Sequence, residues 1–159
     1  MRLIIAVAAA LAWFTGAAWA CPDYSYTGAT YHLTGNQLYT EQRYNVRAGG
    51  QYNILNCPNV RPRTDRGGGF VTQRPDFSFH LSGMGRYRLV ISVVSQCDSI
   101  LLINTGSVNW YYDDDDNRNS PLDPLISLTR PSNGRLDVWV GTYDGEYCDA
   151  TLSLETFYR

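Results

Sequence analysis

Asp113, Asp114, Asp115 and Asp116 stand in succession, followed by Asn117, Arg118, Asn119 and, a few residues on, Asp123. Four adjacent carboxylates repel one another when ionised. A chain can hold them in water as a solvated acidic turn, or it can place a hard cation among them. Ca²⁺ takes roughly six to eight oxygen ligands from flexible loops, so short Asp and Asn side chains on a turn between strands suit it, whereas Mg²⁺ demands stricter geometry. Asp114, Asp115, Asp116 and Asp123 are therefore the candidate metal ligands and Ca²⁺ the candidate ion. The run is not an EF-hand. Counted from Asp113, Arg118 stands where the sharp turn needs Gly, and Pro124 where the bidentate Glu belongs; counted from Asp115, those places hold Ser120 and Ile126.

Catalytic chemistry finds little support. The two histidines are His32 and His80. His80 alternates with Phe79 in a period-two run, which turns it towards solvent rather than into a base's position. The chain has no Gly-x-Ser-x-Gly elbow and no His-Glu-x-x-His pair. Nothing singles out a nucleophile for a Ser-His-Asp arrangement. Carboxylate pairs of the glycosidase kind remain compatible with so acidic a C-terminal half. No catalytic residue is assigned, and the chain reads as a non-enzyme.

The compartment is written at the start. Arg2 precedes the nearly unbroken apolar run Leu3 to Gly16, and Ala18-Trp19-Ala20 puts small residues at the −3 and −1 positions. This is the layout of a signal peptide, residues 1–20, cut after Ala20. The run is shorter than the roughly 20 residues that cross a bilayer, and no later segment spans. Residues 21–159 then make one domain of ordinary size. Cys21 would be the first mature residue, but Trp19 and Ala18 depart from the usual lipoprotein pattern. All four cysteines, Cys21, Cys57, Cys97 and Cys148, follow the leader. An even count in an exported chain reads as two disulfides with three ways to pair. We expect Cys21–Cys57, pinning the lead-in, and Cys97–Cys148, joining two turns of like sequence, Cys97-Asp98 and Cys148-Asp149. The expected localisation is secreted or periplasmic.

Charge is divided along the chain. Residues 21–96 carry eight Arg against four acids, and residues 97–159 four Arg against eleven acids; there is no lysine. A net acidic chain of this kind excludes nucleic acid as a partner. It points to a cation or a basic partner for the C-terminal half.

The elements that must position these residues are strands. Phe77, Phe79 and Leu81 alternate with Ser78, His80 and Ser82; Tyr87, Leu89, Ile91 and Val93 alternate with Arg86, Arg88, Val90 and Ser92. Period two with β-branched and aromatic residues predicts strands with one buried face. Ser99–Ile103 is a short apolar strand. Val108–Tyr112, Leu125–Leu128, Leu136–Val140 and Leu152–Leu154 complete the pattern. Tyr44–Val46 and Gln51–Leu55, around Ala48-Gly49-Gly50, predict a hairpin. Cys21 to Gly35 reads as an irregular lead-in. Asn59 to Arg74, with several arginines and Gly67-Gly68-Gly69, reads as a long mobile loop. The fold expected is an all-β, jelly-roll-like antiparallel β-sandwich. The many aromatics, including Trp110, Tyr111, Tyr112, Trp139, Tyr143 and Tyr147, are read mostly as core.

The stretch from about residue 77 to 155 resembles the bacterial pre-peptidase C-terminal domain family. The features that carry the resemblance occur in order: the Tyr87–Val94 strand, Cys97 to Ile103, Gly106 before Trp110, Asp113–Asp116, Leu122 to Ile126, Gly134 to Val140, and Ala150 to Leu154. The resemblance implies a jelly-roll sandwich in an exported protein, found beside peptidases and used for substrate binding. It also implies Ca²⁺ near the acidic loops, with Asp114, Asp115 and Asp116 matching the acidic turn. Four cysteines are not general in that family, and no peptidase domain is attached in this sequence.

These readings converge on an exported, non-catalytic binding or accessory module with a Ca²⁺-stabilised acidic loop and a protein or polysaccharide partner outside the cytoplasm. The alternatives are a metal-free structural or surface-interaction domain, and a peptidase-associated hydrolase or inhibitor.

Overall fold

The computed structural model describes residues 20–117 and 121–159. Residues 1–19 of the leader and residues 118–120 of the acidic stretch lie outside the described residues. Eleven strands occur among the described residues: β1 (Ala29–Thr34), β2 (Gln42–Ala48), β3 (Tyr52–Asn53), β4 (Phe70–Val71), β5 (Phe77–Ser82), β6 (Tyr87–Ser95), β7 (Ser99–Thr105), β8 (Trp110–Asp113), β9 (Leu125–Leu128), β10 (Gly134–Thr142) and β11 (Cys148–Tyr158). They form two packed sheets, and the fold is an all-β sandwich. No described helix is long and apolar enough to cross a membrane.

In the larger sheet β10 is central. It runs antiparallel to β5, with Val138 opposite Phe77, and to β7, with Leu136 opposite Thr105. β8 continues the sheet beyond β7. β4 joins β10 at Thr142, and β3 joins β4. The smaller sheet runs β2-β11-β6-β9. Alternation decides what each strand buries. Phe77, Phe79, Leu81, Leu101, Ile103, Leu136 and Val138 meet Leu89, Ile91, Val93, Ile126, Leu152 and Leu154 between the sheets. Each such side chain stabilises the fold by roughly 1.5–3 kcal/mol through burial.

β7 is buried along six of its seven residues because the larger sheet is covered on both faces. Its outer side carries Ile100 and Leu102 with Trp110, Tyr112 and Trp139, beneath Ile54, Cys57, Val60 and Val71. This second layer is stapled by the disulfide Cys21–Cys57. The other bridge, Cys97–Cys148, ties the β6–β7 turn to the start of β11. Both are the expected pairs. Two disulfides require an oxidising compartment, and the protein is exported.

Four expectations need correction. Ala48-Gly49-Gly50 does not close a hairpin. β2 lies in the smaller sheet and β3 in the larger, so the chain crosses between layers there. Gly50 permits the crossing, since a Cβ on it would stand 1.9 Å from the Val71 carbonyl carbon. The lead-in ends in a strand, β1, which period-two reasoning missed because most of its residues are exposed. That strand runs parallel to β5, so the sandwich is not purely antiparallel. The segment 59–74 is not a free loop. Tyr112 Oη donates to Gly68 O at 2.6 Å, and Gly67 lies so close to Tyr112 that a Cβ would come within 2.3 Å of its Oη and 2.4 Å of its ring. Gly67 serves that close approach, and Gly69 takes a positive φ of 128°.

Candidate functional site at the acidic end

The alternation that turns Tyr112 to the outer layer turns Asp113, the last residue of β8, inward beside Leu125. Asp113 is 3% exposed. Its Oδ2 accepts hydrogen bonds from the backbone N–H of Leu125 (2.6 Å) and of Asp116 (3.3 Å). One carboxylate thereby closes the β8–β9 loop at both ends. Burial pushes its pKa up to about 6 against those two hydrogen bonds, and the nearby Asp116 carboxyl adds to the rise. Sequence reasoning passed over Asp113 as a member of the run. The signal was the parity of β8, which places it on the same side as Tyr111.

The four predicted ligands do not share one environment. Asp114 is half-buried, with Oδ2 3.2 Å from Tyr112 Oη, and burial raises its pKa first, with Asp115 and Asp65 adding to it. Asp115 and Asp116 are exposed. Asp123 is buried. Its Oδ1 accepts from Ser95 N (3.1 Å), Ser95 Oγ (2.9 Å) and Ser99 Oγ (3.0 Å). Its Oδ2 has no hydrogen-bond partner among the described residues. Its backbone carbonyl takes the N–H of Asn117 at 3.1 Å, which brings the two ends of the loop together. Among the described residues no three His, Cys, Asp or Glu side chains are grouped as a metal site.

The acidic end is wider than the run. The β6–β7 turn, the β8–β9 loop and the β10–β11 turn gather at one end of the sandwich. The Cys97–Cys148 bridge holds the first to the start of β11, and Tyr143 N donates to Asp98 O at 2.9 Å. Asp98 sits among these turns. Burial raises its pKa most, and the negative charges of Asp144, Asp115 and Asp123 raise it further. Asp98, in the β6–β7 turn, therefore feels carboxylates of both the β8–β9 loop and the β10–β11 turn. Beside them Tyr143 and Tyr147 of the last turn are about half exposed, in contrast to the buried Trp110, Tyr112 and Trp139. Asp98 and Asp144 were not singled out as ligands in the sequence, because neither belongs to an acidic run: Asp98 is the one acid of the β6–β7 turn, and Asp144 shares its turn with Glu146 alone.

A second polar group lies on the outer face of β5 and β10. Ser78 Oγ donates to Asp137 Oδ1 (2.5 Å), and Arg135 Nε donates to the same oxygen (2.8 Å). Arg135 also reaches the carbonyl of Tyr26. Burial raises the pKa of Asp137, while Ser78 and Arg135 oppose the rise. This arrangement ties the lead-in to the sheet.

No protein-family model and no curated protein matches the chain. Among solved structures it is similar to PliG of Aeromonas hydrophila, a periplasmic lysozyme inhibitor of g-type lysozyme, at 8% identity and a TM-score of 0.46 over 82% of this chain and 98% of that one. PliG of Salmonella Typhimurium matches at 9% identity and a TM-score of 0.43, over 82% and 100% of the two chains. CorA of Methylomicrobium album BG8, a surface-associated copper-binding protein, matches at 11% and 0.45, over 84% and 99%.

Proposed function

We propose that the chain is an exported, non-catalytic binding module whose acidic end is stabilised by Ca²⁺ and meets its partner outside the cytoplasm. The observation that carries this reading is the convergence of Asp98, Asp115, Asp123 and Asp144, with the Asp98 carboxyl held above its ordinary range partly by the like charge of the others. A divalent ion relieves such repulsion. Oxygen ligands on turns between strands suit Ca²⁺, and Asp123 Oδ2, which has no hydrogen-bond partner among the described residues, is an oxygen of the kind Ca²⁺ takes. The exposed Tyr143 and Tyr147 supply the rigid, amphipathic contact surface that protein and sugar partners use.

The test is thermal unfolding in CaCl₂ against EGTA, for the wild type and for Asp115→Asn with Asp123→Asn. Binding to the folded state alone raises stability by about 2.7 kcal/mol at a hundredfold excess of ion over Kd. The double variant should lose most of that gain. An equal Tm in both buffers for the wild type would remove Ca²⁺ from the reading.

A further inference from the structure

The histidines of this chain, two in the whole sequence, are 48 positions apart along the chain (32 and 80) yet face one another. β1 and β5 run parallel with His32 directly opposite His80. Their rings stack with centroids 4.7 Å apart and planes 12° from parallel. Both side chains are exposed, on the outer face opposite to Phe77, Phe79 and Leu81. The neighbours on that face are small: Thr30 and Thr34 flank His32, and Ser78 and Ser82 flank His80. Hydroxyl side chains leave the ring edges open from solvent.

We propose that His32 and His80 form a two-imidazole site for a borderline-soft divalent metal, with Cu²⁺ the ion held most tightly. Directly opposed residues on adjacent strands are the closest pairs a sheet offers. Two imidazole nitrogens bound to one ion at about 2.0 Å stand about 2.8 Å apart as cis ligands of tetragonal Cu²⁺, and about 3.3 Å apart in the tetrahedral geometry of Zn²⁺. Rings stacked at 4.7 Å reach either separation by leaning their nitrogen edges together, a rotation that exposed side chains make freely. Imidazole suits Cu and Zn rather than Ca²⁺, and affinity for divalent ions peaks at Cu²⁺. Water completes the coordination, because the pair lies on an open face. The positive neighbour is Arg135, opposite His80 on β10. Its charge is met by Asp137 at 2.8 Å, so it does not stand alone against an incoming cation. This site is independent of the acidic end, which offers oxygen ligands.

The experiment is calorimetric titration of the untagged protein with CuCl₂ in a weakly coordinating buffer, beside His32→Gln, His80→Gln and the double variant. Glutamine keeps a polar side chain of similar reach at both exposed positions, and unchanged near-ultraviolet circular dichroism verifies the fold. The wild type should bind one Cu²⁺. Electron paramagnetic resonance of that complex should show two imidazole nitrogens. Either single variant should bind about a hundredfold more weakly, because the second ligand's binding is no longer intramolecular. Zn²⁺ should bind the same pair more weakly, and excess Ca²⁺ should leave the titration unchanged. Absence of saturable Cu²⁺ binding in the wild type overturns the proposal. So does binding undiminished in the double variant, or binding that one single variant abolishes and the other leaves intact.

Discussion

Asp113→Asn tests whether burial of one carboxylate governs the acidic loop. The native pKa of Asp113 is pushed up to about 6 from an ordinary 3.8. The sign follows from that direction. Between about pH 4 and pH 6 the native state keeps a proton that the unfolded chain has already released, so stability falls as pH rises across this window. Below the window both states are protonated and there is no penalty; above it the penalty is complete. A rise from 3.8 to about 6 corresponds to about 3 kcal/mol. Asp113 is 3% exposed, but it lies at the rim of the sandwich where solvent is near, so screening reduces this to about half, ~1.5 kcal/mol. Asparagine keeps the size and an oxygen for Leu125 N, and it cannot ionise. The variant should therefore gain about 1.5 kcal/mol on the wild type in going from about pH 4 to about pH 7.5. The assay is urea unfolding followed by the fluorescence of the buried Trp110 and Trp139. With a slope of about 2 kcal/mol per molar urea, the relative midpoint moves by roughly 0.7 M between the two pH values. A variant whose difference from the wild type is the same at both pH values would show that the Asp113 carboxylate is not disfavoured by its site, and the account of the loop would fail.

Asp76 extends the same slope upward. Burial pushes its pKa up to about 7 against the hydrogen bond from Val140 N, so stability should go on falling between about pH 6 and 7. Asp76→Asn should flatten that last part of the urea-midpoint profile, and a slope unaltered by the substitution would refute the assignment. The disulfides close loops of 36 and 51 residues, for which loss of chain entropy predicts about 4 kcal/mol each. Replacing Cys97 and Cys148 by Ser, or Cys21 and Cys57 by Ser, should lower stability by that amount in urea unfolding. A loss below about 1 kcal/mol would mean that the bridge adds little to what the sheets already constrain.

The strands β5, β6, β10 and β11 were legible because their sequences alternate with a two-residue period, and β7 and β9 because they are short apolar runs between turns. The apolar run in β7 already signalled burial on both sides. Two disulfides were legible in the even cysteine count; which of three pairings forms was not, although the expected one, pinning the irregular start and joining two Cys-Asp turns, is the one formed. What the local pattern does not contain is which strand lies beside which. A Gly-Gly pair punctuates a hairpin and a crossing between sheets alike, and only the approach of Gly50 to the Val71 backbone decides between them. β1 is largely exposed, so no period marks it, and its parallel register with β5 arises from contacts between residues nearly fifty positions apart. The acidic run was visible as a run, yet its members diverge in space. Asp113 and Asp123 are drawn inward by backbone N–H groups and serine hydroxyls, Asp115 and Asp116 stay in water, and Asp98 and Asp144 join from other turns. Composition and alternation thus determined the class of fold, its compartment and the charge of its C-terminal half. Tertiary pairing alone decided which carboxylates lie near Asp98 and that His32 faces His80, because such neighbours are set by register between distant strands and leave no local trace.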